Sequence, residues 1–134
     1  MITAVDTNVL LDVFIPDDEY GPRSRDWLSA AYVAGAVVIC DIVYAELATS
    51  FADRTALDAA LQEIGVTLTP IDSSIAYEAG MRWKMYRAVG GPRERIMTDF
   101  LIGAHALSSA DAFLSRDRGF FSTYFPELNS PAAS

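Results

Sequence analysis

The sequence predicts an α/β fold: a single three-layer domain whose mostly parallel central sheet of four to five strands is flanked by helices. Three observations predict it. Short apolar or alternating runs at residues 2–5, 36–40, 66–70 and 112–115 each read as a strand. Helical spacing of apolar residues fills every interval between them, so each connection is a crossover and the strands run parallel. Of the 134 residues, 51% are hydrophobic and 21% charged, enough to fill a real core and too apolar for a disordered chain.

The first run, Ile2 to Val5, stops at Asp6-Thr7-Asn8, and Val9, Leu10, Val13 and Phe14 follow at helical spacing. This is a buried strand, a sharp polar turn and a short helix. Ile15 to Pro22 reads as a loop by its Pro, Gly and acid content. Trp27, Leu28, Ala31 and Tyr32 form a helix that Gly35 ends, and Ala36 to Cys40 is the second strand. Asp41 reads as the cap of a helix over Ile42 to Phe51, where Glu46 sits among Tyr44, Ala45, Leu47 and Ala48. A carboxylate buried in such surroundings needs a partner or a cation. A further helix covers Ala56 to Gly65, and a strand from Val66 ends at Pro70. Asp72 or Ser73 caps a long amphipathic helix carrying Ile75, Ala79, Trp83 and Tyr86.

Gly90-Gly91-Pro92 breaks the chain before Thr98-Asp99 opens a helix that is apolar almost all round. Asp99 therefore heads an element expected deep in the fold. His105 lies inside that helix and reads as structural, since no second His or Cys completes a transition-metal set. Ala112 to Ser115 is the last strand, and Arg116 to Phe121 leads away from it, with Asp117 just past the strand's end. The domain is expected to span residues 1–128, with 129–134 as a flexible tail.

Composition narrows the function. Cys40 is the one cysteine and reads as a buried thiol; with no disulfide framework and no export signal, a cytoplasmic protein is expected. No apolar run is long enough for a membrane span. A net charge of −8 disfavours broad adhesion to nucleic acid through phosphate contacts, although cations from solution can serve an enzyme that acts there. Nine of the ten basic residues are Arg, a bias that a genome rich in Arg codons also produces.

Ligands of open α/β sheets bind beyond the strands' carboxyl ends, where the strand order reverses. If the first and last strands are neighbours, Asp6 and Asp117 flank that crevice, and Glu46 and Asp99 can converge on it. Asp6 could equally be a helix cap and nothing more. Four carboxylates together resist ionising, and a divalent cation removes the conflict. An all-oxygen set suits Mg²⁺ or Mn²⁺, and the matching chemistry is attack of water on a phosphodiester. Thr7, Asn8 and Ser115 are placed to orient the acids or bound water. Arg93, Arg95, Arg116 and Arg118 are candidates for phosphate contacts, with surface solvation as the plainer reading. A phosphoacceptor module would want a lysine at a late strand end, and Lys84 lies mid-helix. A binding domain that keeps the acidic pocket without catalysis is the other alternative.

Four segments in order carry a resemblance: Val5-Asp6-Thr7-Asn8-Val9-Leu10; Glu46 on an apolar helix; Asp99-Phe100-Leu101-Ile102-Gly103-Ala104; and Leu114-Ser115-Arg116-Asp117-Arg118-Gly119-Phe120. Together they resemble the PIN-domain ribonucleases, most of all the VapC-type toxins of bacterial toxin–antitoxin pairs. The resemblance runs from residue 2 to about residue 125, with Ser115 where threonine is more usual. It implies a Mg²⁺-dependent endoribonuclease that cuts single-stranded RNA. Asp6, Glu46, Asp99 and Asp117 would carry the metal, with Asn8 and Ser115 in support. It also implies a homodimer silenced by a small antitoxin that fills the groove.

Overall fold

The computed structural model describes residues 1–92 and 97–130. Along the chain these form β1 (Ile2–Val5), α1 (Thr7–Phe14), α2 (Gly21–Ala34), β2 (Ala36–Ile39), α3 (Asp41–Ala48) and α4 (Arg54–Glu63). Then come β3 (Val66–Leu68), α5 (Ser73–Ala88), α6 (Met97–Ser109), β4 (Ala112–Leu114) and α7 (Arg118–Tyr124). The four strands make one sheet in the order β3-β2-β1-β4, and all three pairings are parallel. The expected neighbours, first and last strand, do lie side by side. The chain steps outward from β1 to β2 to β3 and then returns to add β4 on the other side. That reversal opens a crevice at the carboxyl ends of β1 and β4.

Ala4, Val5, Val37, Val38, Ile39, Phe113 and Leu114 are buried, as befits strands covered on both faces. Helix α6 packs on β1, α3 and α5, and its Phe100, Ile102, Ala104 and Ala106 are buried. Phe100 sits among the rings of Tyr86, Phe120, Tyr124 and Phe125 at centroid distances of 5.4–6.4 Å. Residue 103 must be glycine-small, because a Cβ there would lie 2.6 Å from the Phe125 ring. At Gly35, φ is +154° and a Cβ would lie 1.9 Å from the Met1 carbonyl oxygen. Only glycine can turn the chain from α2 into β2 at that spot.

Several sequence expectations are corrected. Gly21 and Pro22 begin α2 instead of closing a loop, because proline is tolerated in a helix's first turn. Asp41 lies inside α3, whose N-cap is Cys40 with no side-chain cap. Glu46 is exposed, as are Ala45 and Ala48, because α3 buries only Val43 and Leu47 and leaves its remaining faces near solvent. A short helix, α7, follows Asp117 where no element was expected. The carbonyl of Asn129 accepts a 2.9 Å hydrogen bond from the Phe113 amide, so the chain is still tied to β4 where the free tail was expected to begin.

Other expectations hold. Cys40 is buried, and burial pushes its thiol up to about 11, out of the reactive range. His105 is buried with Nε2 2.6 Å from the Thr69 hydroxyl, and burial lowers its pKa, which suits a neutral structural ring. Asp72 caps α5 by accepting from the Ile75 amide at 2.9 Å. Among the described residues no helix is long and apolar enough to cross a membrane.

Candidate functional site

Strand register builds the site. Val5 pairs with Leu114, so the next residues on the two strands, Asp6 and Ser115, stand next to each other at the crevice. The Asp6 amide still donates to the Leu114 carbonyl at 2.8 Å, the last rung of the ladder. Ser115 Oγ then donates to Asp6 Oδ2 at 2.7 Å, and both residues are buried. The Thr7 amide donates to Asp6 Oδ1 at 2.8 Å, so Asp6 is indeed the N-cap of α1. The capping carboxylate is thus also the one that stands at the crevice.

Around this pair the neighbours close in. Thr7 Oγ1 donates to Glu46 Oε1 at 2.6 Å, which ties α1 to α3 and turns Glu46 toward the crevice. Asn8 Nδ2 lies 3.4 Å from Asp6 Oδ2 and 3.5 Å from Ser115 Oγ, and its Oδ1 accepts from the Arg116 amide at 3.1 Å. The Asp117 amide donates to Ser115 Oγ at 2.9 Å. Asn8 and Ser115 thus fasten the 115–117 turn to β1 and α1.

Electrostatics show which acids share the space. Burial pushes the Asp6 carboxyl up from 3.8 to about 6; hydrogen bonds from Ser115 and Thr7 hold it down, while the charges of Glu46 and Asp99 raise it. Glu46 and Asp99 therefore both act on Asp6, although they come from α3 and α6 and Asp6 follows β1. Asp117, half-buried, is placed beside them by its turn, where its amide donates to Ser115 Oγ. The acids line the crevice without forming a tight cage. Among the described residues, no three His, Cys, Asp or Glu side chains form a group that could hold a metal ion as they stand. The donor chemistry nevertheless fits a divalent cation, because the oxygen-only set concentrates negative charge on a carboxylate that burial already disfavours.

The arginines separate sharply. Arg116 turns away from the crevice: Nε donates to Asp12 Oδ2 at 2.8 Å, Nη2 to Asp12 Oδ1 at 3.2 Å, and the guanidinium lies 4.0 Å from the Tyr20 ring centroid. Its charge is paired within the fold, with Asp12. Arg118 has no hydrogen bond or ion pair to any described residue. Arg93 and Arg95 lie outside the described residues.

Sequence reasoning did not single out Asp12. The residue is 4% exposed and also accepts from Ser24 Oγ at 2.7 Å. The one available signal was its place four residues after Asn8 on the same face of α1.

Comparison with known proteins adds three findings. A family model of the PIN domain matches residues 3–126. No curated protein matches. Among solved structures, the chain is similar to VapBC2 from Rickettsia felis bound to a DNA fragment from its promoter, with TM-score 0.74, 18% identity and 97% of each chain covered. It is also similar to VapBC-1 from nontypeable Haemophilus influenzae, with TM-score 0.70, 21% identity, and 97% of this chain and 96% of that one covered. FitAcB from Neisseria gonorrhoeae gives TM-score 0.68 and 21% identity over the same shares. At such identities the likeness concerns the fold.

Proposed function

Since the chain belongs to the PIN domain family, we propose that it is a divalent-metal-dependent endoribonuclease and the toxin of a type II toxin–antitoxin pair. The observation that carries the catalytic half is Asp6: a buried carboxylate at the strand-order reversal, with Glu46 and Asp99 adding charge of the same sign. The toxin half is supported by the neighbours, which are toxin–antitoxin assemblies such as the complex from Klebsiella pneumoniae (TM-score 0.71, 20% identity, 96% and 97% coverage).

On this reading Asp6, Glu46, Asp99 and Asp117 hold Mg²⁺, with Mn²⁺ as a substitute. Such an ion, when bound, would supply a more acidic water and stabilisation of negative charge at a phosphodiester. The chain's own residues bind and orient. Ser115 and the Thr7 amide fix both oxygens of Asp6, and the Thr7 hydroxyl aims Glu46. Asn8 anchors the turn that carries Asp117. Of the four candidate arginines, Arg118 has no partner among the described residues and would meet an RNA phosphate, a modest cation supply that matches the net charge of −8. A small antitoxin blocks the crevice, the active species is a homodimer, and both work in the cytoplasm.

The test is cleavage of a single-stranded RNA. Wild-type protein should cut it with Mg²⁺ and not with EDTA, and Asp99→Asn should lose at least about a hundredfold in rate, comparable to losing one major transition-state contact. Equal cutting by wild type and variant would mean a contaminating nuclease and sink the proposal.

A further inference from the structure

Beside the acids lies a second feature that metal-dependent cutting does not use. A cavity of about 240 Å³ sits between β4, α7 and residues 128–130. Phe113, Phe121 and Leu128 wall it; Ser115, Arg118 and Ser130 supply its polar groups. Ser115 is common to cavity and crevice, so the cavity begins one hydrogen bond from the Asp6 carboxylate. Two of its polar groups have no partner among the described residues. The Ser130 hydroxyl is buried with no hydrogen bond, and Arg118 has no ion pair or hydrogen bond among the described residues. A buried hydroxyl left so is costly unless something else satisfies it.

We propose that this cavity receives one unpaired nucleobase of the RNA, that of a nucleotide flanking the cut, with Arg118 on the neighbouring phosphate. The inference rests on the nuclease reading and deepens it. Size selects a single ring system, since sites for drug-sized ligands run about 300–1,000 Å³. Chemistry selects a base: apolar aromatic walls accept its faces, and a few hydroxyl and guanidinium groups meet its polar edge. A bare phosphate has no use for the phenylalanine walls. Position selects RNA over other ligands, because a strand laid across the acids leads its next nucleotide past Ser115.

Gly119 provides the test. It lines the cavity in α7, its φ lies outside the left-handed region, and a Cβ there meets no atom within 4 Å. Gly119→Leu can therefore occupy the space without strain, and leucine favours the helix. The substrate is a single-stranded RNA whose wild-type cut site has been mapped, with copies carrying an abasic ribose at each flanking position. One abasic position should lower wild-type kcat/KM by about tenfold or more. Gly119→Leu should show the same loss on the full RNA and no further loss on that abasic copy. Its rise in Tm with Mn²⁺ should match wild type, which shows the acids intact. Wild-type cutting by Gly119→Leu, or two losses that multiply, would overturn the base pocket while leaving the nuclease reading standing. Absence of cutting by wild-type protein would overturn both. Tight binding of N-acetyltryptophanamide in the cavity with RNA cutting unchanged in Gly119→Leu would assign it to a protein side chain, and would also overturn the proposal.

Discussion

Asp6→Asn is expected to make the protein more stable at pH 8 in EDTA, by about 1–3 kcal/mol in urea unfolding. The sign follows from the direction of the shift. The folded carboxyl is pushed up to about 6, whereas the unfolded one titrates near 3.8. Below 3.8 both states hold the proton and the site costs nothing. As pH rises from 3.8 to 6 the unfolded chain releases its proton while the folded protein retains it, so stability falls. Above 6 the full penalty is in place, about 3 kcal/mol for a shift of about two units in a buried group. Asparagine keeps an oxygen for the Thr7 amide and carries no charge, so it removes the penalty and loses only part of the hydrogen bonding. The gain should shrink to nothing by about pH 3. A variant less stable than wild type at every pH would show that the carboxylate is a net stabiliser and that the crowding of acids is unimportant.

Asp12→Ala should act in the opposite direction, costing about 2–4 kcal/mol. Removing one partner of a buried pair costs about 3–5 kcal/mol when the other charge is left stranded. Here the Arg116 side chain is 31% exposed and can turn to water, which lowers that figure. Two further losses hold it up. Ser24 Oγ, fully buried, forfeits its acceptor, and the guanidinium over Tyr20 loses the carboxylate that holds it there. The damage should reach the site, because the Arg116 amide donates to Asn8 and Asp117 follows directly. Mn²⁺ affinity should therefore drop as well. Asp12→Asn, which keeps an acceptor for Ser24, should lose less. A shift under about 1 kcal/mol in urea unfolding would show that the pair contributes no more than an exposed ion pair.

These two carboxylates also mark what the sequence made legible and what it concealed. The succession of strands and helices was readable because each run of Val, Ile or Leu has a period that a single element imposes. The neighbourhood of Asp6 and Ser115 was readable too, since the strand-end position of an acid depends only on local pattern plus one guess about strand order. Glu46 was misjudged as buried, because apolar neighbours in sequence say nothing about which side of α3 meets the core. Asp12 and Arg116 lie 104 residues apart, and no local signal joins them. The same limit made Arg116 and Arg118 look alike. One is bonded into the fold, the other faces a cavity, and only the packing of α7 against β4 separates them. That short helix carries no strong period of its own, so both it and the cavity it covers were beyond reach of pattern.

The central claim is that acids from four separate segments share one divalent cation. Calorimetric titration of Mn²⁺ into wild type, Asp6→Asn, Glu46→Gln, Asp99→Asn and Asp117→Asn tests it most directly. Saturable binding to wild type that weakens by more than about tenfold in each variant is the predicted result. Undiminished affinity in the variants, or no binding to the wild-type protein, would contradict it.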